Sequence, residues 1–517
     1  MGTEREATLL DHVRRHAERA PDAIAVSSGA PQGWTSVSWS QLRELAETVA
    51  GRTPVLPGGA GSAVPGGGPV VVVVDNTVEC VAVLIGLAAA GIELLLVEWP
   101  NSYLGDEASA VVAAAPRCVI GPADFADQVS DRLRYMEFRT LTAGPAAALA
   151  ESAPPASIDQ LTSGSTGEQR IARHRADNIV RGGRIYRDIH RLTTDDTVFV
   201  SIPLAHSFGL VGGLAAAVVS GARLRTLTQF NLRVLLAGLG DATVLLGTPL
   251  GYELIASAPG TGGNRLRVAL SSGGPLSERV ATAAGQRLGV RVHQIYGSTE
   301  TGLVACTYER PEPWPEGSVG TFAPGVEWRV DASAPAGTAD DTAVAEPGAP
   351  AAQTSVDGTV GRLRVRTGTM FDGFGEGGDP HDSNGFHDTG DLVRVDEHGN
   401  LFVLARKDTF INVGGRKINP RRVERLIGEC PGVSEIFVYG GGDDDAEQEI
   451  HAAVVLAGDA DLEQVVGFCR TRLLPYEIPH RVHVVAELPR SALGKVSLGQ
   501  LLRGTAADRA AARPDPQ

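Results

Sequence analysis

Six consecutive residues, Thr162, Ser163, Gly164, Ser165, Thr166 and Gly167, offer hydroxyls and backbone N–H groups with no bulky side chain among them. Glycine carries no Cβ, so the donors of such a loop can come close to a polyphosphate. The loop lacks the Gly-Lys-Ser/Thr ending of a Walker A sequence, and in a glycine-rich chain it also reads as a linker. The strand-like run 157–161 just ahead of it favours the phosphate reading. A second group is Tyr296, Gly297, Ser298, Thr299 and Glu300. It follows another strand-like run, where ligand crevices of α/β sheets form. There Tyr296 can stack on adenine, Thr299 can bond a phosphate, and Glu300 can hold Mg²⁺ through hard oxygen. The competing reading is a turn with a solvated glutamate. It is weakened by Ser272, Gly273 and Gly274, which end a neighbouring strand-like run and supply a second wall for an adenine pocket.

Three further positions extend the set. Asp391, in Thr389-Gly390-Asp391, can accept both hydroxyls of a ribose, although the tripeptide alone is a common turn. Arg406 can reach ribose or phosphate, or form an exposed salt bridge. Asp408, followed by the stretch 411–418, reads as a flexible junction or a plain linker. Lys495 follows Gly494 in a tight turn and can bridge a carboxylate and an α-phosphate, offsetting their repulsion. A surface lysine is the alternative, but the chain has only three lysines, Lys407, Lys417 and Lys495, against a large excess of arginine. His206, in Pro203-Leu204-Ala205-His206-Ser207-Phe208-Gly209, is a catalytic candidate or a structural histidine, and no partner at ligand spacing points to a metal there. Together these are the parts for transferring the adenylyl group of ATP to a carboxylate.

Length and composition bound the rest. A chain of 517 residues exceeds one compact core and implies about three domains or subdomains. Apolar content of 43% with 21% charged residues is that of a globular protein. A net charge of −15 without a basic stripe excludes nucleic acid as the expected partner. Five cysteines, none at metal-ligand spacing, point to reduced thiols without disulfides. The N-terminus has no hydrophobic leader, and the longest apolar run, Cys80 to Ile92, is too short to span a bilayer. A cytoplasmic protein is expected.

The elements that must position these residues follow from periodicity. Val70–Asp75 is an apolar β-branched run, Val78–Ala90 has a helical pattern, and Glu93–Val97 reads as a strand. Strands at Cys118–Ile120, Thr197–Ile202, Ala222–Leu227, Thr243–Leu246, Val268–Ser271 and Arg291–Tyr296 alternate with helices at Ser207–Ser220 and Leu276–Leu288. Such alternation predicts α/β layers with largely parallel sheets. Residues 52–69 read as a loose loop. Near residue 310 the helices stop, and 318–405 reads as short strands and turns, interrupted by a surface insertion at Ala332–Asp357. After Arg406 a small α+β unit is expected, with helices at Arg421–Cys430 and Leu462–Leu474 and strands at Glu435–Tyr439, His451–Leu456 and Arg481–Val485.

These motifs in this order resemble the adenylate-forming superfamily, which includes acyl-CoA synthetases, adenylation domains of nonribosomal peptide synthetases and luciferase-like enzymes. The resemblance covers roughly residues 8 to 503. It implies an α/β fold with a large N-terminal domain, two α/β lobes and a β-barrel-like subdomain over 1–405. A mobile α+β C-terminal domain over 406–505 and a frayed tail, 506–517, complete it. It implies ATP, Mg²⁺ and coenzyme A, with Glu300 on the metal, Lys495 serving adenylation, Asp408 as the hinge, and Gly414 and Gly415 lining a pantetheine tunnel. The sequence departs from the family pattern at Gln169-Arg170, where Pro-Lys is usual and Arg170 keeps the charge, and at Asn412, where lysine is frequent. His206-Ser207-Phe208-Gly209 lacks the aspartate of amino-acid activators, so the implied substrate is an aryl, fatty or polycyclic acid without an α-amino group. Gly209, Gly212 and Gly213 are expected to leave room for it. The implied function is an AMP-forming acyl-CoA ligase. Its alternatives are an enzyme that only thioesterifies a supplied acyl-adenylate, an adenylation enzyme loading a carrier-protein thiol or an amine, and a non-catalytic nucleotide-binding scaffold.

Overall fold

The computed structural model describes residues 6–57, 68–99, 104, 109–144, 156–163, 169–259, 263–308, 315–332, 359–374, 379–406, 411–413, 416–418, 420–441, 449–458, 460–473, 477–490, 496–498 and 500–502. The expected insertion at 332–357, apart from Ala332, and most of the loose loop at 52–69 lie outside them.

Two large sheets carry the N-terminal part. The first has nine strands, in the order Thr321–Phe322, Gly302–Cys306, Val292–Ser298, Val268–Ser271, Val244–Gly247, Thr197–Val200, Arg223–Leu227, Ile24–Ala30 and Gly33–Ser38. Its middle is parallel and its two edges are antiparallel. The second has seven, in the order Gly373–Phe374, Gln169–Arg173, Ile158–Ser163, Leu94–Glu98, Val70–Val74, Cys118–Gly121 and Tyr135–Glu137. The all-valine strand Val70–Val74 is buried along its whole length, as its unbroken β-branched run requires of a central parallel strand. Helix Val78–Ala89 follows at once. It begins where the Thr77 hydroxyl caps the Cys80 N–H, and it is buried nearly all round.

One hydrophobic core serves both sheets. It joins Val70, Val72, Leu94 and Ile120 of the seven-stranded sheet to Val198, Val200, Leu246 and Leu270 of the nine-stranded one, through the helices Trp39–Gly51, Val78–Ala89 and Ala176–His190. The expected barrel-like subdomain is a four-stranded antiparallel sheet, Glu327–Ala332, Thr359–Arg366, His387–Val395 and Leu401–Arg406. Its core is shared with Val304 and Ala305 at the edge of the nine-stranded sheet. The C-terminal unit has its own core. There helices Pro420–Gly428 and Leu462–Arg472 accompany the strands Val433–Gly441, Glu449–Leu456 and Arg481–Val484.

Two local features differ from expectation. The stretch Phe208–Ala215 is π-helical and passes into the α-helix Ala216–Ser220. The phosphate-loop candidate is flanked by a hairpin, Ile158–Ser163 with Gln169–Arg173, rather than by a strand on one side only. All five cysteines are buried and free, as the reading without disulfides requires.

Candidate active site at the sheet edges

Three of the sequence motifs, at Thr162–Ser163, Ser272–Gly274 and Tyr296–Glu300, leave the C-terminal ends of parallel strands. Thr162 pairs with Arg170 and Ser163 with Gln169 at the mouth of the hairpin. Gly164, Ser165, Thr166 and Gly167 lie outside the described residues. The Arg170 guanidinium sits over the Phe374 ring, 4.3 Å from its centroid. Phe374 pairs in turn with Ala172. Ser272, Gly273 and Gly274 leave the end of Val268–Ser271. Gly273 has φ +91°, a conformation that glycine adopts freely. The Ser272 hydroxyl donates to the Ile295 carbonyl at 3.2 Å, which ties this turn to the next strand.

Tyr296 and Gly297 lie in Val292–Ser298, and Thr299 and Glu300 form the turn beyond it. A Cβ at Gly297 would fall 2.1 Å from the Gly302 carbonyl oxygen, so this glycine lets the hairpin close. The Tyr296 hydroxyl donates to Asp391 Oδ2 at 2.5 Å. Asp391 is buried, and its backbone is in register with Arg406 on the adjacent strand. Lys495, Asp408, Gly414 and Gly415 lie outside the described residues, as do the side chains of Arg406 and Asn412.

The Thr299–Thr301 turn is tied down from several sides. Phe371 N donates to the Glu300 carbonyl at 2.9 Å. The Thr367 hydroxyl donates to the Thr301 carbonyl at 3.0 Å. Ser298 N reaches the Thr301 hydroxyl at 3.1 Å. The Glu300 carboxylate is half-exposed and has no ion-pair or hydrogen-bond partner among the described residues. The titratable groups facing it are His174 and His387, and burial pushes both below the ordinary histidine range, His174 to about 4. A carboxylate flanked by neutral rings is available to a hard cation. No group of three or more His, Cys, Asp or Glu among the described residues could hold a metal alone. A single carboxylate suits Mg²⁺, which is commonly held by one or two carboxylates together with substrate phosphates.

His206 does not stand alone. Its Nε2 lies 2.9 Å from Glu98 Oε2, at the end of strand Leu94–Glu98, so the pair spans the two sheets. Asn76 fixes the same seam. It is buried at φ +62°, a conformation that asparagine tolerates better than most residues. Its amide donates to the Ile202 and Leu227 carbonyls at 3.2 and 3.0 Å and accepts from Leu204 N at 2.8 Å. Its own carbonyl accepts the Ser28 and Thr226 hydroxyls at 2.8 and 2.7 Å. Sequence reasoning missed Glu98, Asn76, His174 and Phe374. The one available signal was a lone polar dipeptide, Asp75-Asn76, ending an all-apolar strand.

The glycines expected to make room for a substrate do not. A Cβ on Gly209 would lie 2.5 Å from the Pro203 carbonyl oxygen. One on Gly212 would lie 2.9 Å from Tyr186 Cε1, and one on Gly213 would lie 2.6 Å from Val200 Cγ2. They serve close packing of the π-helical segment against its neighbours.

The family model described as AMP-binding enzyme matches residues 13–373, and that described as AMP-binding enzyme C-terminal domain matches 422–495. An indoleacetate–CoA ligase of Aromatoleum aromaticum is 29% identical over 65% of this chain and 64% of its own length. A medium-chain fatty-acid–CoA ligase of Escherichia coli is 30% identical over 65% of this chain and 58% of its own. A p-hydroxybenzoic acid–AMP ligase of Mycobacterium tuberculosis is 28% identical over 84% of this chain and 61% of its own. The chain thus spans less than two thirds of the length of these relatives. Among solved structures, ATP-bound MatB from Rhodopseudomonas palustris superposes with a TM-score of 0.78 at 22% identity, covering 97% of this chain and 99% of that one. The Bacillus subtilis o-succinylbenzoate CoA synthetase with its acyl-adenylate gives 0.76 at 21% identity, covering 98% and 99%. These likenesses establish the shared fold.

Proposed function

We propose, on the premise that this chain belongs to the AMP-binding enzyme family, that it activates a carboxylic acid lacking an α-amino group as its acyl-adenylate and passes the acyl group to the thiol of coenzyme A. The observation that carries the reading is a continuous path of contacts at the sheet edges. It runs from Asp391 through Tyr296 to the Glu300 turn, and from Phe371 and Phe374 to Arg170. Such a path supports the reading, because in-line adenylyl transfer needs ribose, metal and phosphate groups held at fixed spacing.

In this reading Tyr296 and the Ser272–Gly274 turn flank the adenine, while Asp391 and Arg406 hold the ribose. The hairpin around residues 162–167, with Arg170, holds the phosphates, and Thr299 bonds the α-phosphate. Glu300 holds Mg²⁺, which when bound neutralises charge on the phosphates. His206, oriented by Glu98, borders the acid. Lys495 bridges the acid carboxylate and the α-phosphate. The N-terminal unit, 1–405, then stays in place while 406–505 turns about Asp408, bringing Gly414 and Gly415 to the thiol. The named acids of the relatives, indoleacetate, medium-chain fatty acids and p-hydroxybenzoate, support an aryl or fatty substrate without an amino group.

A second reading is that the adenylate is handed to a carrier-protein thiol. It is raised by a relative named for joining its acid to AMP rather than to CoA, which aligns over 84% of this chain.

Mass spectrometry of the protein with Mg·ATP and a panel of aryl, fatty and polycyclic acids tests the first step. An acyl-adenylate with matching pyrophosphate is expected, and Lys495→Ala should abolish it while sparing thioester formation from supplied adenylate and CoA. No adenylate across the panel, with thioester still formed from supplied adenylate, would leave only the thioesterification step. Thioester on carrier protein but not on CoA would select the second reading.

A further inference from the structure

The turn that carries Glu300 has one tether unexplained so far. The Glu300 and Thr301 carbonyls are each held by the segment 367–371. That segment is itself anchored by the Asn178 amide, which donates to the Met370 carbonyl at 2.8 Å. The Thr299 carbonyl instead faces His174, the residue directly after strand Gln169–Arg173. His174 is 3% exposed, and neither ring nitrogen completes a hydrogen bond among the described residues. A buried imidazole whose one facing acceptor, the Thr299 carbonyl, is not in good hydrogen-bond geometry is costly to keep, so its retention calls for an explanation. The ring borders a small cavity of about 10 Å³ shared with Asn178, Ser207 and Thr369. It also lies beside the Phe371 ring, 6.4 Å between centroids.

We propose that His174 is a positioning residue for the Thr299–Glu300 turn: its N–H donates to the Thr299 carbonyl when nucleotide and metal are bound, and so aims the Glu300 carboxylate at the cation. The strand leaving the phosphate hairpin then reports directly to the metal carboxylate. This rests on the reading of Glu300 as the metal residue.

The test compares His174→Leu, which keeps the volume and removes the donor, with His174→Gln, which keeps a donor. Mn²⁺ affinity of the ATP-bound protein is read by electron paramagnetic resonance, and kcat and KM of adenylate formation are read alongside. For His174→Leu, Mn²⁺ affinity and kcat should each fall about tenfold while KM for the acid stays put, which separates a fault at the cation from a loss of acid binding. His174→Gln should recover most of both. Equal losses in the two variants, together with a lowered melting temperature, would make His174 a packing residue and overturn the proposal. Unchanged Mn²⁺ affinity in His174→Leu would overturn it as well. A wild-type chain that binds Mn·ATP without forming adenylate leaves the Mn²⁺ comparison decisive. One that binds no Mn·ATP removes the proposed function, and this inference with it.

Discussion

Tyr296 and Asp391 lie 95 residues apart in sequence, yet the phenol of one donates to the carboxylate of the other at 2.5 Å. The bond joins the nine-stranded sheet to the four-stranded one, so the wall that would hold a nucleoside is built from both. A hydrogen bond to a charged group contributes roughly 1.5–3 kcal/mol. Tyr296→Phe keeps the ring and removes this bond. It is expected to weaken AMP binding about tenfold by calorimetric titration. Unaltered affinity would mean that Asp391 needs no orienting partner.

Asn76 holds the seam between the two large sheets by three side-chain hydrogen bonds and a left-handed backbone. Asn76→Ala loses the bonds and strains the backbone, and should cost about 3–5 kcal/mol in chemical denaturation. Asn76→Gly loses the same bonds without the strain and should be milder by about 1 kcal/mol. Equal losses would show that the backbone angle contributes nothing.

At Gly212 the packing contact and the substrate-pocket expectation give opposite outcomes. Its Cβ position lies 2.9 Å from Tyr186 Cε1 and 3.2 Å from Phe208 Cδ2. Gly212→Val should lower the melting temperature by several degrees, an overpacking effect of about 1–3 kcal/mol. A variant of native stability with altered acid preference would instead place Gly212 on the substrate.

Burial pushes the Asp75 carboxyl up to about 6, against the hydrogen bonds it accepts from Thr77 N and Oγ1. The folded state therefore binds this proton more tightly than the unfolded one, and stability declines as pH rises from about 4 through 6. Asp75→Asn keeps an acceptor for Thr77 and removes the penalty. Its melting temperature relative to wild type should rise at pH 8 and converge with wild type near pH 4. A constant offset at all pH values would assign the effect to packing.

His190 runs the other way. Burial drives its pKa down to about 3, with a Tyr308 ring edge-on at 4.7 Å. The neutral form is the folded form, so the stability it contributes is complete above about pH 6.5 and is lost as pH falls toward 3. His190→Phe keeps the ring contacts and removes the titration. Its stability curve should lie nearer wild type at pH 7 than at pH 4.5, where the variant should be the more stable. Parallel curves would exclude His190 from the acid response.

Much of the fold was legible because the signal was local. The run Val70–Val74 and the helix Val78–Ala89 announce themselves by composition and period, and the strand Val268–Ser271 has the bounds its residues predict. The motif residues Tyr296, Asp391 and Glu300 could be picked out by type. Their mutual arrangement could not, because the partners come from distant strands. The same holds for His206 and Glu98, separated by 108 residues. The glycines of 209–213 misled for a physical reason: an absent Cβ says that space is needed, not whether a ligand or a neighbouring side chain fills it. His174 left no trace, since one histidine after a strand is ordinary until its burial is known.

The core shared by the two large sheets has a consequence for cooperativity. Val70 and Val198 belong to one buried cluster, whereas the C-terminal unit keeps a cluster of its own around Val423 and Val454. Melting one sheet would strip the other of the core they share, so the two denature together as a single step. The C-terminal unit is free to melt at a different temperature. Calorimetry should therefore divide the chain near residue 406 and not along the seam that His206 and Glu98 cross. The most protected amides on both sides of that seam should share one free energy of opening in hydrogen exchange.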